Sequence, residues 1–226
     1  MESMNVYEHA LNHWKSEVST LLGRPEFNLL QKNEFTLESY RWYLRETFFH
    51  TRENPISQLI ATRSFSRNQH ELLSRYVGHA RSEISHDLLA LRDFVALGGS
   101  EEEIRSGQPL PDTEAMIGYT YACAHADSPL KYLGYLFHVE ALPTVQGKDY
   151  IQMLLASGVP SHAVSFLQEH AQVDPAHSKL MAYYLENLLR TKEDERVFDL
   201  SMRTGMLLHY RMIVGAISRG MQGTPA

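Results

Sequence analysis

Residues 170–178 read HAQVDPAHS, which sets His170, Asp174 and His177 at steps of four and three. At about 100° per residue, positions i, i+4 and i+7 of an α-helix fall within roughly a 60° arc. Three side chains of metal-ligating type would then project in one direction. The competing reading is a solvated polar stripe, since Gln168, Glu169 and Gln172 are polar as well. Pro175 bears on both. Inside a helix it removes the bond to the Ala171 carbonyl and forces a kink. Alternatively Asp174 is an N-cap and Pro175 the first residue of a new helix that carries LMAYYLENLL. Either way the three side chains sit at a bend between helical segments.

Working outward, nearly every long segment keeps the 3.6-residue period, and none sustains the two-residue alternation of strands. The pattern predicts helices from Asn5 to Leu22 and from Thr36 onward, the second turning Tyr40, Tyr43, Leu44, Phe48 and Phe49 inward. Ser66 with Gln69 reads as a capping box for a helix that runs to Leu97 and stops at Gly98-Gly99. Ser100 with Glu103 opens a short helix that breaks by Gly107, and QPLPD is a loop. Further helices are expected over 112–126, from Ser128-Pro129 to near Pro143, over 147–157, and from Ser161. A last one covers Lys192 to Ser218, leaving 219–226 as a disordered tail. The prediction is an all-α single domain, residues 1–218, of seven or eight helices.

The spacing of the opening stretch recurs in HARSEISHD, where His79, Glu83 and His86 again stand four and three apart. Leu73, Tyr76, Ala80, Ile84 and Leu88 flank them, so Glu83 lies near an apolar face, where an unpaired carboxylate is costly. It needs either a metal or an ion pair, and Arg81, Asp87 and Arg92 are close enough in sequence to offer ordinary pairings. Glu140, in YLGYLFHVEALP, is an acid in an otherwise apolar helix; His138, two residues away, falls on another face and reads as core or a neighbour of the site. Together Glu83, His86, Glu140, His170, Asp174 and His177 supply three carboxylates and three imidazoles. That is ample for two divalent metals, and the nitrogen and oxygen donors suit iron or manganese. Inward carboxylates and histidines on facing helices are also how di-iron bundles are built.

Composition narrows the alternatives. The formal net charge of −6 argues against a nucleic-acid partner. The single cysteine, Cys123, excludes an intrachain disulfide and a cysteine-based zinc site. No apolar run approaches the roughly 20 residues needed to cross a bilayer, and the acidic, amphipathic start is not a secretory signal. A cytoplasmic location without membrane association is expected. Histidine is abundant, with twelve residues.

With these motifs in this order, the chain resembles the haem-oxygenase-like di-metal oxidases, relatives of the thiaminase II (TenA-like) and pyrroloquinoline-quinone-synthase-like proteins. The resemblance spans about residues 36–190. It rests on His170-x3-Asp174-x2-His177, on an early Glu83 and His86, and on a central Glu140. The segments DLLALRDFVALGG and LPDTEAMIGYTYACAHADSPLKYLGYLFHVE, with Gly134 ahead of Glu140, add to it. The resemblance implies a haem-oxygenase-like bundle without haem, holding two Fe(II) per chain, with manganese as the alternative. It implies O2-dependent oxidation of a small organic molecule, a fatty acid, an amino acid or a related compound, by C–C cleavage, desaturation or N-oxygenation. An unidentified electron donor is implied, and a homodimer is common in such relatives. Glu140 is the expected bridging carboxylate. Glu83 and His86, helped by His170, would hold one ion, and Asp174 with His177 the other. Pro175 departs from an uninterrupted ligand helix. Glu71 is the alternative to Glu83, with His79 then an extra ligand or a neighbour of the ligands.

Four other readings are weighed against this. A TenA-like hydrolase of thiamine pyrimidines would use a cysteine nucleophile on the central helix, and Cys123 lies too early. A cofactorless oxidase would need a basic pocket rather than three acids. A scaffold protein would not need the ligand set, and a zinc hydrolase would share it. For the substrate pocket, Tyr43, Phe48, Tyr119 and Tyr135 are candidates, with ordinary core as the competing role. Arg45, Arg63 and Arg92 are candidate carboxylate anchors.

Overall fold

The computed structural model describes residues 5–31, 36–172 and 174–223, with the side chains of 31 and 172–176 outside the description. Over these residues the chain is all-α and has no strand. Helices begin where side chains satisfy the free N–H groups of a first turn. Asn5 and Glu8 form a reciprocal capping box at α1 (Val6–Leu22), and a single turn, α2 (Asn28–Gln31), follows. Thr36 Oγ1 accepts from the Ser39 amide at 3.0 Å to open α3 (Leu37–Thr51), and α4 (Asn54–Ala61) carries Pro55 in its first turn. Next come α5 (His70–Ser82), α6 (His86–Ala96), α7 (Glu101–Ser106) behind its Ser100 cap, and α8 (Pro111–Ala124). Ser128 caps α9 (Pro129–Ala156), after which α10 (Ser165–Gln172) and α11 (Asp174–Leu188) lead to α12 (Lys192–Met221), capped by Thr191 with Asp194.

The two longest helices, α9 with 28 residues and α12 with 30, pack side by side. Helices α3 and α8 also cover α12, while α10 and α11 cover α9. Leu130, Tyr132, Leu133, Tyr135, Leu136 and Phe137 are all buried, so α9 is apolar around its circumference, as a central helix must be. Its backbone comes very close to α12 at Gly134. A Cβ there would lie 2.4 Å from the Phe198 carbonyl oxygen and 2.9 Å from the Met202 nitrogen.

Two apolar cores result. One gathers Trp14, Tyr76, Leu142, Tyr184 and Tyr210, and the other gathers Tyr40, Phe49, Phe94, Leu154 and Phe166. An internal cavity of about 130 Å³ touches both, being lined by Leu142 and Tyr210 of the first and by Tyr40, Leu154 and Phe166 of the second. Among the described residues no helix is long and apolar enough to cross a membrane.

The structure departs from the sequence reading at several places. The helix expected from Ser66 to Leu97 is two helices, α5 and α6, because Ser85 takes a left-handed conformation with φ +78°. The Ser66–Gln69 motif is only half a capping box: Gln69 Oε1 accepts from the Ser66 amide at 2.9 Å, but the helix starts at His70. The Ile84 and Leu88 expected on the buried face are 57% and 44% exposed. Helix α9 does not stop near Pro143 but runs through it. Pro143 cannot donate to the Val139 carbonyl, and on the next rung Thr144 Oγ1 donates to the Glu140 carbonyl at 2.7 Å. Helix α12 continues to Met221, past the expected end at Ser218.

Candidate metal centre

Glu83 stands at the C-terminal cap of α5, one turn after His79, and His86 opens α6 just across the Ser85 turn. Both His79 and Glu83 are buried. Glu140 projects from α9, His170 from α10 and His177 near the start of α11. Tertiary packing thus gathers side chains from five helix segments.

They fall into two groups that share one residue. His79, Glu83, Glu140 and His177 offer donor atoms all within 4.8 Å of one another, and Glu83, His86 and His170 do the same. In the first group, His177 Nδ1 lies 2.6 Å from Glu140 Oε2, and His79 Nε2 lies 3.3 Å from Glu140 Oε1 and 3.9 Å from Glu83 Oε1. In the second, His86 Nδ1 is 3.1 Å from Glu83 Oε2, and the His86 and His170 rings meet edge-on at 4.9 Å between centroids. Glu83, rather than Glu140, is the carboxylate common to both groups. His79 stands among the donors themselves, not behind them. Glu71 is elsewhere, exposed and paired with Arg75 at 2.8 Å. Asp174 opens α11, and its side chain lies outside the described residues.

The electrostatics follow from burial and proximity. Burial alone would raise the Glu140 carboxyl, but the imidazoles of His79 and His177 outweigh it and hold the group well below the usual carboxylate range. The hydrogen bond to Glu83 raises the His86 imidazole. Burial lowers His170. Its Nδ1 lies 2.7 Å from the Phe166 carbonyl, which can only accept, so the proton sits on Nδ1 and the Nε2 lone pair is left for a ligand.

The cavity reaches this cluster, for Glu83, Glu140 and His170 form part of its wall. Tyr43 lines it as expected. Phe48 belongs to the second core instead, and the Tyr119 hydroxyl is 3.0 Å from Ser201 Oγ, away from the cavity. Tyr135 stands behind the wall, its hydroxyl bonded to His50 and Asn54, which do line the cavity. The hydrogen bonds of His138 lead away from the metal-ligating cluster, to Trp14 and to His209. His50 and His209 are cavity residues that the sequence reading did not single out. Their only local signal is a histidine inside an apolar helical run, FFH and LLHY. The candidate arginines are occupied elsewhere: Arg45 pairs with Glu46 and donates to the Gln108 carbonyl, Arg63 donates to the His125 carbonyl, and Arg92 is exposed.

A family model described as iron-containing redox enzyme matches residues 41–209, a span that holds the cluster and most of the cavity wall. The chain belongs to this family of iron-containing redox enzymes. Solved structures agree on the fold. A domain of unknown function with a haem-oxygenase-like fold from Shewanella denitrificans is 25% identical, with a TM-score of 0.80, covering 93% of this chain and 91% of that one. A TenA homologue from Pseudomonas syringae is 13% identical at a TM-score of 0.68, with 97% and 94% coverage. A CADD-like protein of unknown function from Nostoc punctiforme is 12% identical at 0.63, with 96% and 99% coverage. No curated protein sequence matches the chain significantly.

For an iron-containing redox enzyme, the cluster has the right chemistry. His79 Nδ1, His79 Nε2 and Glu83 Oε1 are buried without a hydrogen-bond partner among the described residues. Leaving such groups unsatisfied costs stability, and a cation between His79 and the two carboxylates would offset that cost. Imidazole and carboxylate donors suit iron. The residues therefore fit the metal that the family carries.

Proposed function

We propose that the protein is a non-haem di-iron oxidase or oxygenase that uses O2 to oxidise a small organic molecule held in the internal cavity. The observation that carries this reading is the pair of ligand groups sharing Glu83 in the cavity wall of a member of an iron-containing redox family. Glu83, His86 and His170 would hold one Fe(II). His79, Glu83, Glu140 and His177 would hold the other, with Asp174 added on the strength of its sequence spacing alone. Manganese is the alternative metal, and an external electron donor would close the cycle.

When bound, the iron would supply O2 activation; the chain's own residues do the rest. Burial of His79 and Glu83 places them in a medium less polar than water, which strengthens the charge interactions around them. The Phe166 carbonyl fixes the His170 tautomer and leaves its Nε2 for a metal, and the imidazoles of His79 and His177 favour the ionised, metal-binding form of Glu140. The apolar side chains Leu142, Met153, Leu154 and Ile213 hold the substrate body beside the cluster.

The TenA-like hydrolase reading lacks its nucleophile at the cavity. Cys123 is buried in α8 with its Sγ 3.5 Å from Ser201 Oγ, and burial pushes its thiol up, away from the thiolate form. Comparing the O2 uptake of Fe(II)-loaded and Zn(II)-loaded protein tests the proposal. Uptake by the iron form alone supports an oxidase. Uptake by neither, with hydrolysis by the zinc form, would replace it with a hydrolase.

A further inference from the structure

The cavity has a second polar region, set by a chain of hydrogen bonds that begins at Trp14. Its indole N–H donates to His138 Nδ1 at 3.0 Å. An indole nitrogen can only donate, so His138 Nδ1 carries a lone pair and its proton is on Nε2. That Nε2 lies 3.0 Å from His209 Nδ1, which must accept in turn. His209 is therefore neutral, with its remaining N–H on Nε2. The neighbouring His50 is fixed in the opposite sense. The Tyr135 hydroxyl donates to Asn54 Oδ1 at 2.7 Å, so the 2.9 Å contact from His50 Nε2 is a donation into the Tyr135 oxygen. The lone pair of His50 is left on Nδ1.

Both rings line the cavity, 5.6 Å apart between centroids, and neither His209 Nε2 nor His50 Nδ1 has a hydrogen-bond partner among the described residues. Of the other polar groups of the wall, the Tyr150 and Tyr210 hydroxyls donate to Gln146 Oε1 at 2.8 and 3.1 Å, whereas the uncharged hydroxyls of Tyr40 and Thr47 have no partner among the described residues. Among the described residues no lysine or arginine lines the cavity. Burial keeps the two histidines uncharged, lowering His50 to about 3 and His209 to about 4.

We propose that His209 Nε2–H and His50 Nδ1 form a paired donor and acceptor that binds an uncharged hydroxyl or carboxamide group of the substrate. A group that accepts one hydrogen bond and donates another satisfies both nitrogens. A carboxylate can only accept and an ammonium can only donate, so each leaves one nitrogen unmatched and places a charge in a cavity without a counter-charge at that end. The substrate class is then an apolar molecule with a neutral polar head. This names the substrate of the function proposed above and rests on that reading for its oxidation, while the binding site itself requires no metal. Trp14 and His138 act as positioning residues, through the tautomer they impose on His209.

The test is calorimetric titration of the full-length protein, metal-free and anaerobically loaded with Fe(II), with hexanamide, 1-hexanol, hexanoate and hexylamine. The two neutral probes are expected to bind the metal-free protein about tenfold or more tightly than the charged ones. His209→Phe should weaken hexanamide binding by about tenfold while leaving iron stoichiometry unchanged. Nitrogen-15 NMR of the imidazoles in the unaltered protein should place the protons of His138 and His209 on Nε2, and Trp14→Phe should release that preference. Tighter binding of hexanoate or hexylamine, an unaffected His209→Phe, or a proton on His209 Nδ1 would each overturn the proposal. If iron fails to bind but the neutral probes retain their preference, the oxidase reading fails and this site stands.

Discussion

Glu83 and His86 meet across a turn, not along a helix: Glu83 Oε2 lies 3.1 Å from His86 Nδ1, with Ser85 in a left-handed conformation between them. Glu83 is also the acid common to both ligand groups. Glu83→Gln should therefore impair both metal positions, whereas His170→Ala should impair one. Iron analysis after anaerobic loading is expected to give well under one iron per chain for the first and about one for the second, with helicity by circular dichroism unchanged. Equal losses in the two variants would remove the shared role of Glu83.

The Ser85 conformation costs a residue with a Cβ roughly 1–2 kcal/mol. Ser85→Gly should leave stability equal or slightly higher, and Ser85→Val should lower it by about 1–2 kcal/mol and loosen iron binding. Chemical denaturation of the metal-free variants measures the first effect, and Fe(II) titration the second. A stable Ser85→Val protein with unaltered iron affinity would show that the turn is not held in this form.

At Gly134 the backbones of α9 and α12 leave no room for a methyl group. Gly134→Ala should destabilise the protein by about 1–3 kcal/mol, the usual cost of overpacking, and displace Glu140 farther along the same helix. A thermal midpoint within error of the parent would contradict that packing.

The buried histidines make the metal-free protein sensitive to acid. His50 and His209 are lowered to about 3 and about 4 from an ordinary 6.5, because burial disfavours their charged forms. The unfolded chain therefore takes up protons first as pH falls, and stability declines from about pH 6.5 toward pH 4. Urea midpoints between pH 7 and 5 should drop, and His209→Phe should drop less steeply. A flat profile would mean that these rings are hydrated.

Much of this could be read from the residues. The spacing of His170 and His177, the acid in the apolar run at Glu140, and the Glu83–His86 pair all pointed to one site, and the structure brings those side chains together. Sequence periodicity could not show the break at Ser85, because serine carries no glycine-like signal for a left-handed turn. It left His79 as either an extra ligand or a neighbour of the ligands, whereas the end of α5 brings it to 3.3 Å from Glu140. Pro143 marked a helix end by local rules, but α9 runs through it to Ala156, with Ala141, Leu142, Gly147 and Leu154 buried. His50 and His209 lie in helices far apart in sequence, and only tertiary packing places them in one wall.

The most direct test of the central claim is anaerobic Fe(II) titration of metal-free protein, followed by Mössbauer spectra before and after O2. About two irons per chain, becoming a magnetically coupled ferric pair after O2, is the predicted result. Absence of specific iron binding, or a single isolated ferric ion, would contradict the di-iron account.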